Sequence, residues 1–129
     1  MYNCIVKYSS KISGQTSRYK SKGTLNTING KTKLSFSLES GQNFSLFILN
    51  DGGVRLISEG ESNYSILFKN QVDYPFFISL GAFEIDASAN TKLVKTIINE
   101  SRLEVSINYI FTCGKEQDHR TIKIIAEVI

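Results

Sequence analysis

The chain has 129 residues with one Pro and no Trp; 41% are hydrophobic, 21% are charged and the net charge is +3. That length suits one domain, residues 1–129, which buries roughly two-thirds of its unfolded surface and needs no disulfide or metal staple. The composition is that of a globular protein and excludes a disordered tail or an interdomain linker.

The amino end, "MYNCIVKYSSKIS", lacks the basic segment and long apolar stretch of a secretory signal. Apolar runs elsewhere fall far short of the ~20 residues that span a bilayer. These features predict a cytoplasmic protein with no membrane partner. Cys4 and Cys113 are too few for a disulfide scaffold and read as small reduced thiols.

Along the chain the dominant period is two, the mark of half-buried strands. Strands are predicted at 3–12, 15–27, 31–39, 43–49, 54–59, 62–70, 75–87, 91–98, 101–112 and 119–128. In "TKLSFSLES", Leu34, Phe36 and Leu38 oppose Lys33, Ser35 and Ser37. "YSILF" sets Tyr64, Ile66 and Phe68 on one face. The run "FFISLGAFEID" reads as one long strand bent at Gly81, because Gly inside a strand marks a bulge or corner. Pro75, with no N–H, is expected as that strand's first residue. Segment 90–101 is the one helix candidate, with Leu93, Ile97 and Ile98 at helical spacing, but its Val, Ile and Thr content favours strand. "LEVSINYIF" alternates Leu103, Val105, Ile107, Tyr109 and Phe111 with polar residues. "TIKIIAEV" does the same with Ile122, Ile124, Ala126 and Val128.

The breaks are short turn sequences such as "SG" at 13–14, "NG" at 29–30 and "NDGG" at 50–53. Strands joined by such short loops are antiparallel neighbours. An open sheet this wide would leave two unpaired edges, and closure removes them. The predicted fold is all-β: a single closed antiparallel up-and-down (meander) barrel of about eight to ten strands.

The stretches "GQNFSLFILNDGGVRLISEGES", "YPFFISLGAFEI", "TKLVK" and "SRLEVSINYIF" resemble, in order and spacing, the YwiB-like bacterial proteins of unknown function. The resemblance is carried most by Tyr74, Gly81, Phe83, Ile85, Thr91-Lys92 and the strand ending at Tyr109. It implies a calycin-like (lipocalin-like) barrel in a cytoplasmic bacterial setting, and brings no catalytic residues. Arg120 stands where the pattern has Asn before the last strand, which argues against a shared polar site there.

No catalytic constellation, metal set or cofactor motif is visible. The one His, His119, follows an acidic loop and reads as a surface residue. A zinc set from Cys4, Cys113 and His119 lacks paired ligand spacing. Glu84 and Asp86 share one strand face, where solvation is the ordinary reading. The chain is therefore not expected to be an enzyme. A barrel of this size can enclose a small apolar or amphipathic ligand. The candidate lining is Phe36, Tyr64, Phe68, Tyr109 and Phe111, with one of Phe44 or Phe47; filling the core is their plainer role. The second reading uses charge. Residues 1–38 hold seven basic and no acidic side chains, and the remainder eight basic and twelve acidic, or +7 against −4. Arg18, Lys20 and Lys22 share one strand face and could track nucleic acid or an acidic protein partner.

Overall fold

Alternation is realised through the whole chain: the computed structural model describes residues 1–129 as ten strands without a helix. They are β1 (Tyr2–Ile12), β2 (Gln15–Ile28), β3 (Lys31–Ser37), β4 (Asn43–Ile48), β5 (Val54–Glu59), β6 (Tyr64–Phe68), β7 (Asp73–Leu80), β8 (Phe83–Ile98), β9 (Arg102–Cys113) and β10 (Glu116–Val128). Each hydrogen-bonded neighbour is antiparallel, in the order β6-β5-β4-β3-β2-β1-β10-β9-β8-β7. The sheet is an up-and-down barrel in which first and last strands pair, Cys4 opposite Val128 through Ile12 opposite Arg120.

The barrel is nearly closed. Backbone pairing between the β6 and β7 sides is confined to Asn63 and Ser79, whose N–H groups donate to each other's carbonyls at 2.9 Å. Continued at that register, Pro75 would have to donate to Leu67, and it has no N–H. Pro75 lies third in β7, not first as expected, and is tolerated because β7 is an edge. Below the bridge the connection 69–72 turns away from β6. Gln71 N–H donates to the Thr91 carbonyl at 3.0 Å, and Asn70 Oδ1 accepts from Val94 N–H at 2.7 Å.

Two further details differ from the sequence reading, and both concern where the period slips. Gly81 is not a bend within one strand. It opens the two-residue turn Gly81-Ala82 between β7 and β8, with Leu80 opposite Phe83. Its φ of +65°, followed by Ala82 without positive φ, fits the type II′ hairpin turn that places Gly first. The slip at Thr91–Leu93 is a β-bulge at Lys92, inside β8. It moves the inward face from Ala87, Ala89 and Thr91 to Val94, and leaves Leu93, Ile97 and Ile98, the residues at helical spacing, exposed on a strand.

One glycine is held by space alone. A Cβ on Gly23, in the middle of β2, would lie 2.7 Å from the Ser35 carbonyl oxygen and 2.8 Å from Val6 Cγ2. This is the corner where β1, β2 and β3 approach most closely, the role the sequence had suggested for Gly81. The inward faces fill one core of 22 residues, with Leu34, Leu46, Val54, Phe68, Leu103, Val105 and Ile124 fully buried.

Candidate functional site

The hairpin turns 13–14, 60–63, 81–82 and 114–115 lie at one end of the barrel, with the 38–42 connection beside them. Beneath them the inward faces change from aliphatic to aromatic. Tyr8 from β1 stacks on Phe44 at 5.5 Å and tilts against Phe36 and Tyr19, each at 5.9 Å. On the other side Phe76 contacts Tyr64 at 6.2 Å and Phe111 at 6.3 Å. The floor is Phe68 against Tyr109, 4.9 Å between ring centroids.

Between these groups stands Arg120. Alternation in β10 that turns Ile122, Ile124 and Ala126 inward also turns Arg120 and Asp118 inward. The Arg120 guanidinium lies over the Phe111 ring at 3.8 Å, and its Nε donates to Asp118 Oδ1 at 2.7 Å. Asp118 takes the Nε and Nη2 side, and the Tyr109 hydroxyl is a further partner of the guanidinium. Burial opposes the guanidinium charge, but Asp118 and Tyr109 more than offset it, so Arg120 holds its proton more firmly than usual.

Two phenols from separate strands, Tyr64 and Tyr109, face this cation, and a third, Tyr8, lies beside those two. Burial raises the Tyr8 hydroxyl well above its ordinary range, and the neighbouring Tyr64 and Tyr109 hydroxyls add to the effect. Burial also raises Tyr64, eased by Ser58 and by the charge of Arg120. Tyr109 is pushed up to about 12 by burial, again eased by Arg120. At neutral pH the cluster therefore presents three protonated hydroxyls and one cation. Gln42 of the β3–β4 connection closes the adjoining rim, donating to Ser58 Oγ and, at 2.6 Å, to the Ser62 carbonyl.

The five aromatic residues singled out in the sequence all face inward, but at different depths. Phe68 is fully buried and Tyr109 nearly so, within the packed core. Phe36 is buried beside Phe44, while Tyr64 and Phe111 are half-buried at the aromatic end. Phe44 is the inward member of its pair; Phe47 faces outward beneath Lys33, at 5.4 Å. The sequence reading did not place Tyr8 or Asp118 at this end of the barrel, and it set Arg120 aside as evidence against a polar site. Extending the β10 alternation two steps past Ile122 would have found both charged residues.

The other candidates are dispersed. Cys4 pairs with Val128 at one end of the barrel and Cys113 with Glu116 at the other. His119 faces outward beside Asn108. Glu84 and Asp86 are exposed on β8, and Arg18, Lys20 and Lys22 are exposed on the outer face of β2. No helix is long and apolar enough to cross a membrane.

No protein-family model matches the chain. No curated protein matches it either. Among solved structures it is similar to the crystal structure of the YwiB protein from Bacillus subtilis, with a TM-score of 0.82. The two chains share one fold. The match covers 98% of this chain and 90% of that one at 17% sequence identity. The resemblance read from the sequence thus has its counterpart in the YwiB barrel, and at that identity it concerns architecture alone.

Proposed function

We propose that this barrel is a non-enzymatic binding protein for a small amphipathic molecule with an anionic head, taken up at the aromatic end. The observation that carries the reading is Arg120 turned inward among Tyr64 and Tyr109, with Tyr8 beside the two phenols, above a packed floor. A half-buried guanidinium favours a carboxylate or phosphate oxygen, and neutral phenols beside it can donate to the same anion. Of the flanking rings, half-buried Phe111 offers an apolar edge to the body of the ligand, with Phe36, Phe44 and Phe76 buried behind it. The larger grooves of the molecule lie on its outer face and rim, and the lower barrel is filled.

The test begins with native mass spectrometry of freshly purified protein, followed by thermal unfolding with medium-chain carboxylates and the matching alcohols. Binding raises the midpoint by mass action, about 2.7 kcal/mol at a hundredfold excess over Kd. Arg120→Met should weaken the carboxylates selectively and leave the alcohols nearly unchanged. No co-purified mass and no stabilisation across both series would end the proposal.

A further inference from the structure

The outer face carries a second feature, independent of the aromatic end. Register places Lys7 of β1 directly opposite Lys20 of β2, and Ser9 between Arg18 of β2 and Lys123 of β10. All four basic side chains are exposed. Like charges directly opposite each other on a sheet repel, and no acidic side chain separates Lys7 from Lys20. On the outer face of β10 Glu127 stands opposite Ile5, one pleat from Lys7, and Glu104, one strand further, is already bound to Lys123 at 3.1 Å and to Arg102 at 3.6 Å. These cations border a groove of about 400 Å³. A second groove of about 400 Å³ shares Ser9 and Lys123 with it and continues past Lys11.

We infer that this trough binds the sugar–phosphate backbone of single-stranded nucleic acid. Arg18 and Lys20 follow each other at about 6.8 Å along β2, two strand residues apart. Lys7 stands one strand away, about 4.8 Å across. A regular row of cations suits a regular row of phosphates. The grooves are too small for a duplex. A folded acidic protein would need a large outward aromatic or apolar anchor at the centre; of the apolar residues there only Ile125 points outward, since register turns Tyr8 and Tyr19 to the inward face. No outward aromatic ring borders the trough, because Tyr8 and Tyr19 belong to the inward faces of their strands. Binding is therefore through phosphate and indifferent to base, without the stacking that aromatic platforms provide.

Fluorescence anisotropy with ten-nucleotide single strands of U, A and C, and with oligo-dT, decides the matter. Three or four engaged cations give a log–log salt slope of about −2 to −3, or ~20–50-fold weaker binding from 50 to 200 mM salt. The base homopolymers should agree within about threefold. Lys7→Glu/Arg18→Glu/Lys20→Glu should abolish binding with an unchanged circular dichroism spectrum. The control Lys31→Glu/Lys115→Glu, which alters charge outside the trough, should retain most of it. Absence of binding at low salt, equal binding by the triple variant, or equal affinity for poly-glutamate would each overturn the inference.

Discussion

Replacing Gly23 by Ala tests where the barrel turns its corner. Gly23 has extended backbone, so a side chain is excluded by space and not by φ. The added methyl would sit 2.7 Å from the Ser35 carbonyl oxygen, 2.8 Å from Val6 Cγ2 and 3.2 Å from Phe36 Cβ. Two of these neighbours belong to β3, one to its backbone, so relief means moving a strand. Overpacking of this kind costs about 1–3 kcal/mol. Ala returns about 0.4–1 kcal/mol by restricting the unfolded chain, leaving a net loss of about 1–2 kcal/mol. For a domain of this size that lowers the thermal midpoint by about 3–10 °C. Urea unfolding of wild type, Gly23→Ala, Val6→Ala and the double variant measures the coupling. Removing Val6 Cγ2 relieves one clash, so the double variant should lose less than the sum of the singles. An unchanged midpoint in Gly23→Ala, or strict additivity, would refute the close approach.

Three further outcomes follow from the same geometry. Gly81→Val meets open space, so only its positive φ opposes it; chemical denaturation should show a loss of about 1–2 kcal/mol, and no loss would remove the turn assignment. Cys4 is fully buried and its thiol is raised by burial, whereas Cys113 is partly exposed. A thiol reagent should label one cysteine in the native protein and both after denaturation. Ultraviolet titration should find Tyr8, Tyr64 and Tyr109 ionising late. Their raised folded values mean that stability is fully present below about pH 10, the unfolded value, and is lost as pH climbs through the folded values, about 12 for Tyr109. Tyr109→Phe should flatten part of that alkaline decline, as read from unfolding midpoints across the range.

Most of the fold was legible because each strand states its own alternation and each turn its own chemistry. "LEVSINYIF" needs no partner to be recognised as a strand. The failures come where inward parity changes. It passes from even to odd at Gly81 and from odd to even at Lys92. A one-residue bulge and a two-residue hairpin both produce such a switch, so "FFISLGAFEID" could be read as a bent strand. At the aromatic end, Tyr64, Tyr109 and Phe111 were visible as apolar members of alternating runs. Arg120 was not, because a charged residue ends the apolar signal that identifies an inward face. The outer trough was half legible. Arg18 and Lys20 adjoin in sequence, but their placement beside Lys123 depends on a pairing across more than a hundred residues.

That long-range pairing between β1 and β10 also governs how the molecule is made. The two meanders, β1 to β6 and β7 to β10, can form from local hairpins, but neither supplies the other edge of β1. Relative to a ten-residue loop, closure across the whole chain costs about 2 kcal/mol more in entropy. During synthesis at 5–20 residues per second, β10 follows β1 by on the order of ten seconds. For that interval one edge of β1 is unpaired while the chain is tethered close to other nascent chains. Lys7 and Lys11 point outward along it, and charged side chains are what discourages an open edge from recruiting a foreign strand. Their positions thus protect the unfinished protein, before the barrel has an outer face to offer anything else.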